Sequence, residues 1–216
     1  MDTAPILHFV SDWTAHYNPT WFQEHTAGYQ RARDTLEQLA VSLNQGIREF
    51  DPGILRLRPK DMIPDIQPDK PSLRIHIAPK GMRPIPVGYY LCIRAGNRSF
   101  LSGGLYSNMF AAAADLVRNQ IISDPLTWNQ LVQARSFQDH FLLMGQELKH
   151  FPSGYDPGHI HAKYLQQNNW YVRYPIQDAT LLLPDALEAV ALQMFRAMSP
   201  LVQFLNQAMR TFHLPD

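Results

Sequence analysis

The sequence predicts an α+β fold: a small antiparallel sheet packed against long amphipathic helices. Three observations point there. Stretches near both ends repeat apolar residues every three or four positions, and the centre alternates apolar with polar residues over short runs. The joints between those central runs are too short for helical crossovers, which favours antiparallel pairing. With 216 residues, 45% of them hydrophobic, the chain can build one substantial core, and a single domain over 1–216 is expected.

A short helix is expected from about Pro5 to His16. A long one follows from Thr20, where Trp21, Phe22, Tyr29, Leu36, Leu39, Leu43 and Ile47 form one stripe. Thr20 is the expected cap, and Asp51-Pro52-Gly53 the stop. In the centre, Leu73, Ile75 and Ile77 alternate with Arg74 and His76, and Tyr89, Leu91 and Ile93 with Tyr90, Cys92 and Arg94. Both runs read as strands with one buried face. "AGNRS" supplies a turn into a third strand, "RSFLSG". Asn108 is the expected cap of a helix through Ala113, Val117 and Ile121, and "DPLTWNQLVQAR" starts another, with Pro125 in its first turn. "WYVRYPI" is a further strand. The last helix begins at Asp185, and Ser199-Pro200 predicts a kink or two abutting helices, because proline removes a backbone bond.

Composition excludes several partners. Lys+Arg and Asp+Glu balance at 19 each with no basic run, which argues against nucleic acid, where phosphate neutralisation dominates affinity. No stretch approaches the roughly 20 apolar residues of a membrane span. The single cysteine, Cys92, cannot form an internal disulfide, and its strand-like setting reads as a small buried residue. The start, "MDTAPILHFVSDW", lacks the basic region and long apolar run of a signal peptide, so a soluble cytoplasmic protein is expected.

The polar stretch "HFPSGYDPGHIHAKYLQQNNW" carries His150, His159 and His161. Asp156 followed by Pro157 reads as a capped helix start. On a helix His159 and His161 lie about 200° apart and cannot share an ion; on an extended chain they could. The capped turn is the preferred reading, with no metal and no cofactor expected. "SGGLYSN" resembles a phosphate cradle only in outline and lacks the complete glycine fingerprints. A tight turn or close backbone approach is the simpler use for Gly103 and Gly104. Asp65 and Asp69 read as solvated charges in a proline-rich loop, and Cys92 has no recognisable histidine partner.

Taken together, "NPTWFQEHTAGY", "DKPSLR", "SGGLYSNMFAAAADLVRNQI" and "FPSGYDPGH" resemble the domain of unknown function family 2461, a mostly bacterial group of similar length. The matching positions are Asn18, Trp21 and Phe22; Gly103, Gly104, Arg118 and Ile121; and Pro152, Gly154, Tyr155, Asp156 and His159. Ser153 stands where the family has lysine. Of the family's central Arg/Asp signature only Arg58, Asp69 and Lys70 match, with Asp61, Met62, Pro64, Asp65 and Leu73 at its other positions, while Arg74 stands in for a basic residue that often follows. The family has no established function, so the resemblance implies a fold, and loss of those arginines implies an altered ligand or activity.

The expected function is binding of a small anionic metabolite in a polar groove on the sheet's exposed face. Lys70, Arg74, Arg118, Tyr155 and His159 are the candidate ligand-binding residues. One alternative is a hydrolase with His159 as general base and Arg118 or Lys70 holding the anion. Another is a protein-interaction module, which requires a large exposed apolar patch.

Overall fold

Helix α1 (Ala4–Ala15) carries its proline in the first turn and buries Ile6, Leu7, Phe9, Val10 and Trp13. The computed structural model describes residues 1–16, 18–57, 71–79, 87–105 and 111–212. The long helix expected from Thr20 is two helices, α2 (Pro19–Glu24) and α3 (Thr26–Arg48). Asn18, not Thr20, is the cap: its side chain accepts from the Trp21 N–H at 2.7 Å, with Pro19 as the first helical residue. The break falls at His25, whose ring Nδ1–H donates to the Trp21 carbonyl at 2.7 Å and whose ring stacks on Trp21 at 4.1 Å.

Strands β1 (Leu73–Ile77), β2 (Val87–Ile93), β3 (Ser99–Leu105) and β4 (Trp170–Ile176) form one antiparallel sheet in sequence order. The "AGNRS" turn joins β2 to β3 through positive φ at Gly96 and Asn97. The Asp178 carboxylate accepts from both of their N–H groups, at 2.9 and 3.0 Å. Between β3 and β4 come α4 (Ala111–Ser123), α5 (Pro125–Gln133), α6 (Arg135–Gln138) and α7 (Ala162–Leu165). Pro125 stands in the first turn of α5, as the sequence predicts, and Asp124 caps the helix through the Thr127 N–H at 3.2 Å. The expected cap Asn108 lies outside the described residues.

After β4, α8 (Asp178–Leu182) leads into α9 (Ala186–Ala208). Of the two forms expected at Ser199-Pro200, two abutting helices are not what forms: α9 runs through Pro200 as one α-helix. Pro200 cannot donate to the carbonyl four residues earlier, but Ser199 Oγ donates to that same Arg196 carbonyl at 2.9 Å. The serine beside the proline thus satisfies the acceptor that the proline abandons.

Helices α1, α3 and α9 pack on one face of the sheet. Leu73, Ile75, Tyr89, Leu91, Leu101 and Val172 point there and join a buried cluster running from Ile6 to Phe212. Gly103 and Gly104 serve packing. A Cβ on Gly103 would lie 3.0 Å from Met198 of α9, and one on Gly104, at φ +124, would lie 2.4 Å from the Trp170 carbonyl oxygen. Among the described residues, no helix is long and apolar enough to cross a membrane.

Candidate functional site

Strand alternation sends the remaining side chains to the outer face, away from those helices. Across the four strands one row reads Arg74, Cys92, Phe100, Pro175 and the next His76, Tyr90, Ser102, Arg173. Extending the β1–β2 register by one residue sets Ser72 opposite Arg94. This face is polar and only partly withdrawn from water: Ser72 and Ser102 are 0% exposed and Cys92 is 4% exposed, Arg74, His76, Tyr90, Arg94 and Phe100 are half-buried, and Arg173 and Pro175 are exposed. Ser102 is satisfied by the Val172 carbonyl at 2.7 Å. Others are not. Ser72 Oγ, Arg74 Nε, Arg94 Nε and His76 Nε2 are buried atoms without a hydrogen-bond partner among the described residues. Buried polar groups are nearly always paired, so four orphans on one end of one face mark a place to explain.

Its electrostatics are cationic. Burial raises the Cys92 thiol above the ordinary range, while the Arg74 guanidinium, in contact with it, and Arg94 and Arg173 pull the other way. Desolvation lowers the pKa of Arg173; the Cys92 sulfur opposes that shift and Arg94 adds to it. The Arg173 guanidinium also lies over the Phe100 ring, 4.2 Å from its centroid. Neither Arg74 nor Arg94 makes an ion pair among the described residues. His76 stacks face to face on Tyr90 at 4.1 Å, and burial lowers its pKa to about 4, so the imidazole is neutral near pH 7. Burial also keeps the Tyr90 phenol protonated.

Arg118 and Tyr155 belong to a different arrangement. Arg118 is 4% exposed on α4. Its Nε donates to the Leu165 carbonyl at 2.8 Å, one terminal nitrogen to the Gln167 carbonyl at 2.8 Å, and the other to the Asp115 carboxylate at 2.7 Å. It closes the C-terminal end of α7, whose last carbonyls have no helical donors. The Tyr155 and Trp170 rings flank it at 5.7 and 5.9 Å. The Tyr155 hydroxyl reaches Asn119 Oδ1 at 3.2 Å.

The capped helix expected at Asp156-Pro157 is a turn, with the helix itself delayed to Ala162. Asp156 spends its acceptor on the Gly158 N–H at 2.8 Å, closing a local loop instead of a helix. His159 Nδ1 then accepts from the His161 N–H at 3.1 Å, and buried His161 approaches the Pro125 carbonyl at 3.3 Å. Among the described residues no group of three or more His, Cys, Asp or Glu side chains could hold a metal ion.

The four sequence candidates among the described residues, Arg74, Arg118, Tyr155 and His159, therefore do not line one groove. Arg74 stands on the outer face of edge strand β1. Arg118 and Tyr155 sit beside the opposite edge strand, β4, on the helix-bearing side, three strand spacings or roughly 14 Å across the sheet. His159 lies in the turn next to that second cluster, and Lys70 falls outside the described residues, as do Asp65 and Asp69. With every nitrogen of Arg118 engaged, the hydrolase reading loses its described anion holder. The residues not foreseen as a site are Ser72, Arg94 and Arg173. Alternation carried the signal, since Arg94 has the parity of Cys92 and Arg173 lies midway along "WYVRYPI".

Among known families, one described as a conserved hypothetical protein, domain of unknown function 2461, matches residues 5–204 of the chain. No curated protein and no solved structure matches it significantly.

Proposed function

The chain belongs to the domain of unknown function family 2461, and for this member we propose a cytoplasmic binding module that takes a small anionic ligand on its outer sheet face. Arg74 and Arg94 are its principal donors, with Ser72 beside them and Arg173 adding positive potential. One observation carries the reading: two guanidinium Nε atoms are buried without a hydrogen-bond partner among the described residues, at the same end of the face. A half-buried cation whose Nε is sealed from water without an acceptor is costly, and an anion brought there relieves that cost. The guanidinium fork suits oxyanions in particular.

The test is the thermal unfolding midpoint of the protein across a panel of phosphorylated, sulfated and carboxylated metabolites at constant ionic strength. A ligand that binds only the native state raises the midpoint with concentration. The expected result is a rise with at least one anion class, lost in R74Q and R94Q and kept in R98Q. Arg98 lies in the β2–β3 turn and is held by the Ala95 carbonyl at 2.8 Å. A panel without any effect, or one whose effect survives R74Q and R94Q, contradicts the reading.

A further inference from the structure

We propose that the outer-face site is built for a doubly charged tetrahedral oxyanion, the phosphoryl or sulfuryl group of a small molecule or the free ion, rather than for a carboxylate. This rests on the anion-binding reading above and sharpens it. Arg74 faces Cys92 across β1–β2, and Arg94, the first residue past the end of β2, lies two positions after Cys92. Their cross-strand spacing, roughly 5–8 Å, lets one group a few ångströms wide bridge both. Neither guanidinium has a carboxylate partner among the described residues. A monoanion would leave one of these two half-buried positive charges uncompensated, whereas a dianion neutralises both.

Shape agrees with charge. The donors come from two strands and are of two kinds. The forks of Arg74 and Arg94 project from β1 and from the end of β2, and Ser72 Oγ, in a 0% exposed residue and without a hydrogen-bond partner among the described residues, projects at the level of Arg94. A carboxylate presents two oxygens in one plane. A phosphoryl or sulfuryl group presents three or four in different directions, so it can accept from both forks and the hydroxyl together. The Cys92 thiol, in contact with Arg74, sits at the edge of the same place and serves as its reporter.

The experiment titrates sulfate, inorganic phosphate, phenyl phosphate and acetate into the intact protein at constant ionic strength. It reads the unfolding midpoint and, separately, the rate at which a neutral alkylating reagent modifies Cys92, the chain's one cysteine. Sulfate and phosphate should bind on the order of tenfold or more tightly than acetate, because the second charge meets a second, partly desolvated cation. Both should slow Cys92 alkylation, and S72A should weaken sulfate while leaving acetate unchanged. Lowering the pH until phosphate becomes a monoanion should weaken phosphate and not sulfate. Phenyl phosphate binding as well as phosphate identifies a phosphoryl group on a larger molecule; its exclusion identifies the free ion. Acetate binding as tightly as sulfate at the Arg74 and Arg94 site overturns the dianion proposal and leaves the broader anion reading standing. No response to any anion overturns both.

Discussion

Arg118 and Arg74 are the same side chain put to opposite uses. Around Arg118 the protein supplies an acceptor for each nitrogen, two of them backbone carbonyls, and an aromatic ring on either flank. Around Arg74 and Arg94 it leaves buried nitrogens without acceptors and sets a third guanidinium nearby. The first arrangement is complete and holds the polar turn and α7 against α4. The second is incomplete among the described residues, and incompleteness at a half-buried cation is what a ligand can repair. A buried arginine is thus informative through its unmet hydrogen bonds, not through its burial.

The largest expected effect lies on the Arg118 side of this comparison. R118L strips two carbonyls and the Asp115 carboxylate of their donor, which should cost about 3–5 kcal/mol of unfolding free energy. R118K keeps the charge but cannot span both carbonyls, so it should fall between wild type and R118L. Urea unfolding of the three proteins measures this, and an R118L protein as stable as wild type would erase the distinction between the two arginine environments.

A smaller effect concerns His76. Its native pKa, lowered by burial from 6.5 to about 4, means the folded protein binds fewer protons than the unfolded chain between those values. Stability attributable to His76 is therefore complete above pH 6.5 and lost as the pH falls toward 4, by at most roughly 3 kcal/mol. Asp51 works in the opposite direction. Burial beside Tyr89 raises its carboxyl, with the Tyr89 and Gly53 hydrogen bonds opposing that rise, so its contribution weakens as the pH climbs through its native pKa. The measurement that isolates His76 is the difference in unfolding free energy between wild type and H76Q from pH 7 to 4. That difference should shrink on acidification, and a pH-independent difference would show that the imidazole titrates alike in both states.

Much of the fold was legible because local patterns carry it. The alternation through Leu73, Ile75 and Ile77 and through Tyr89, Leu91 and Ile93 locates β1, β2 and their inner face, and Asp124-Pro125 announces α5. The departures each come from one side-chain hydrogen bond that competes with the pattern. Asn18 takes the cap that Thr20 also suits, Asp156 closes a turn where a helix start was expected, and Ser199 lets α9 pass through Pro200.

The site was legible by half. Alternation places Arg74, His76, Tyr90, Cys92 and Arg94 on one face, and that reading stands in the structure. Gathering Arg118, Tyr155 and His159 into the same groove failed for a physical reason. Nothing in a linear pattern tells which backbone carbonyls will end up beside a guanidinium, and for Arg118 those belong to residues 47 and 49 positions away.

The smallest expected effect is also the most direct test: the unfolding free energy of the R74L/R94L double variant, measured without added anions. If these guanidiniums are uncompensated cations awaiting a ligand, replacing them with apolar side chains should leave stability unchanged or raise it. A loss of about 2 kcal/mol or more would contradict this, because it would mean that Arg74 and Arg94 hold the fold together as Arg118 does.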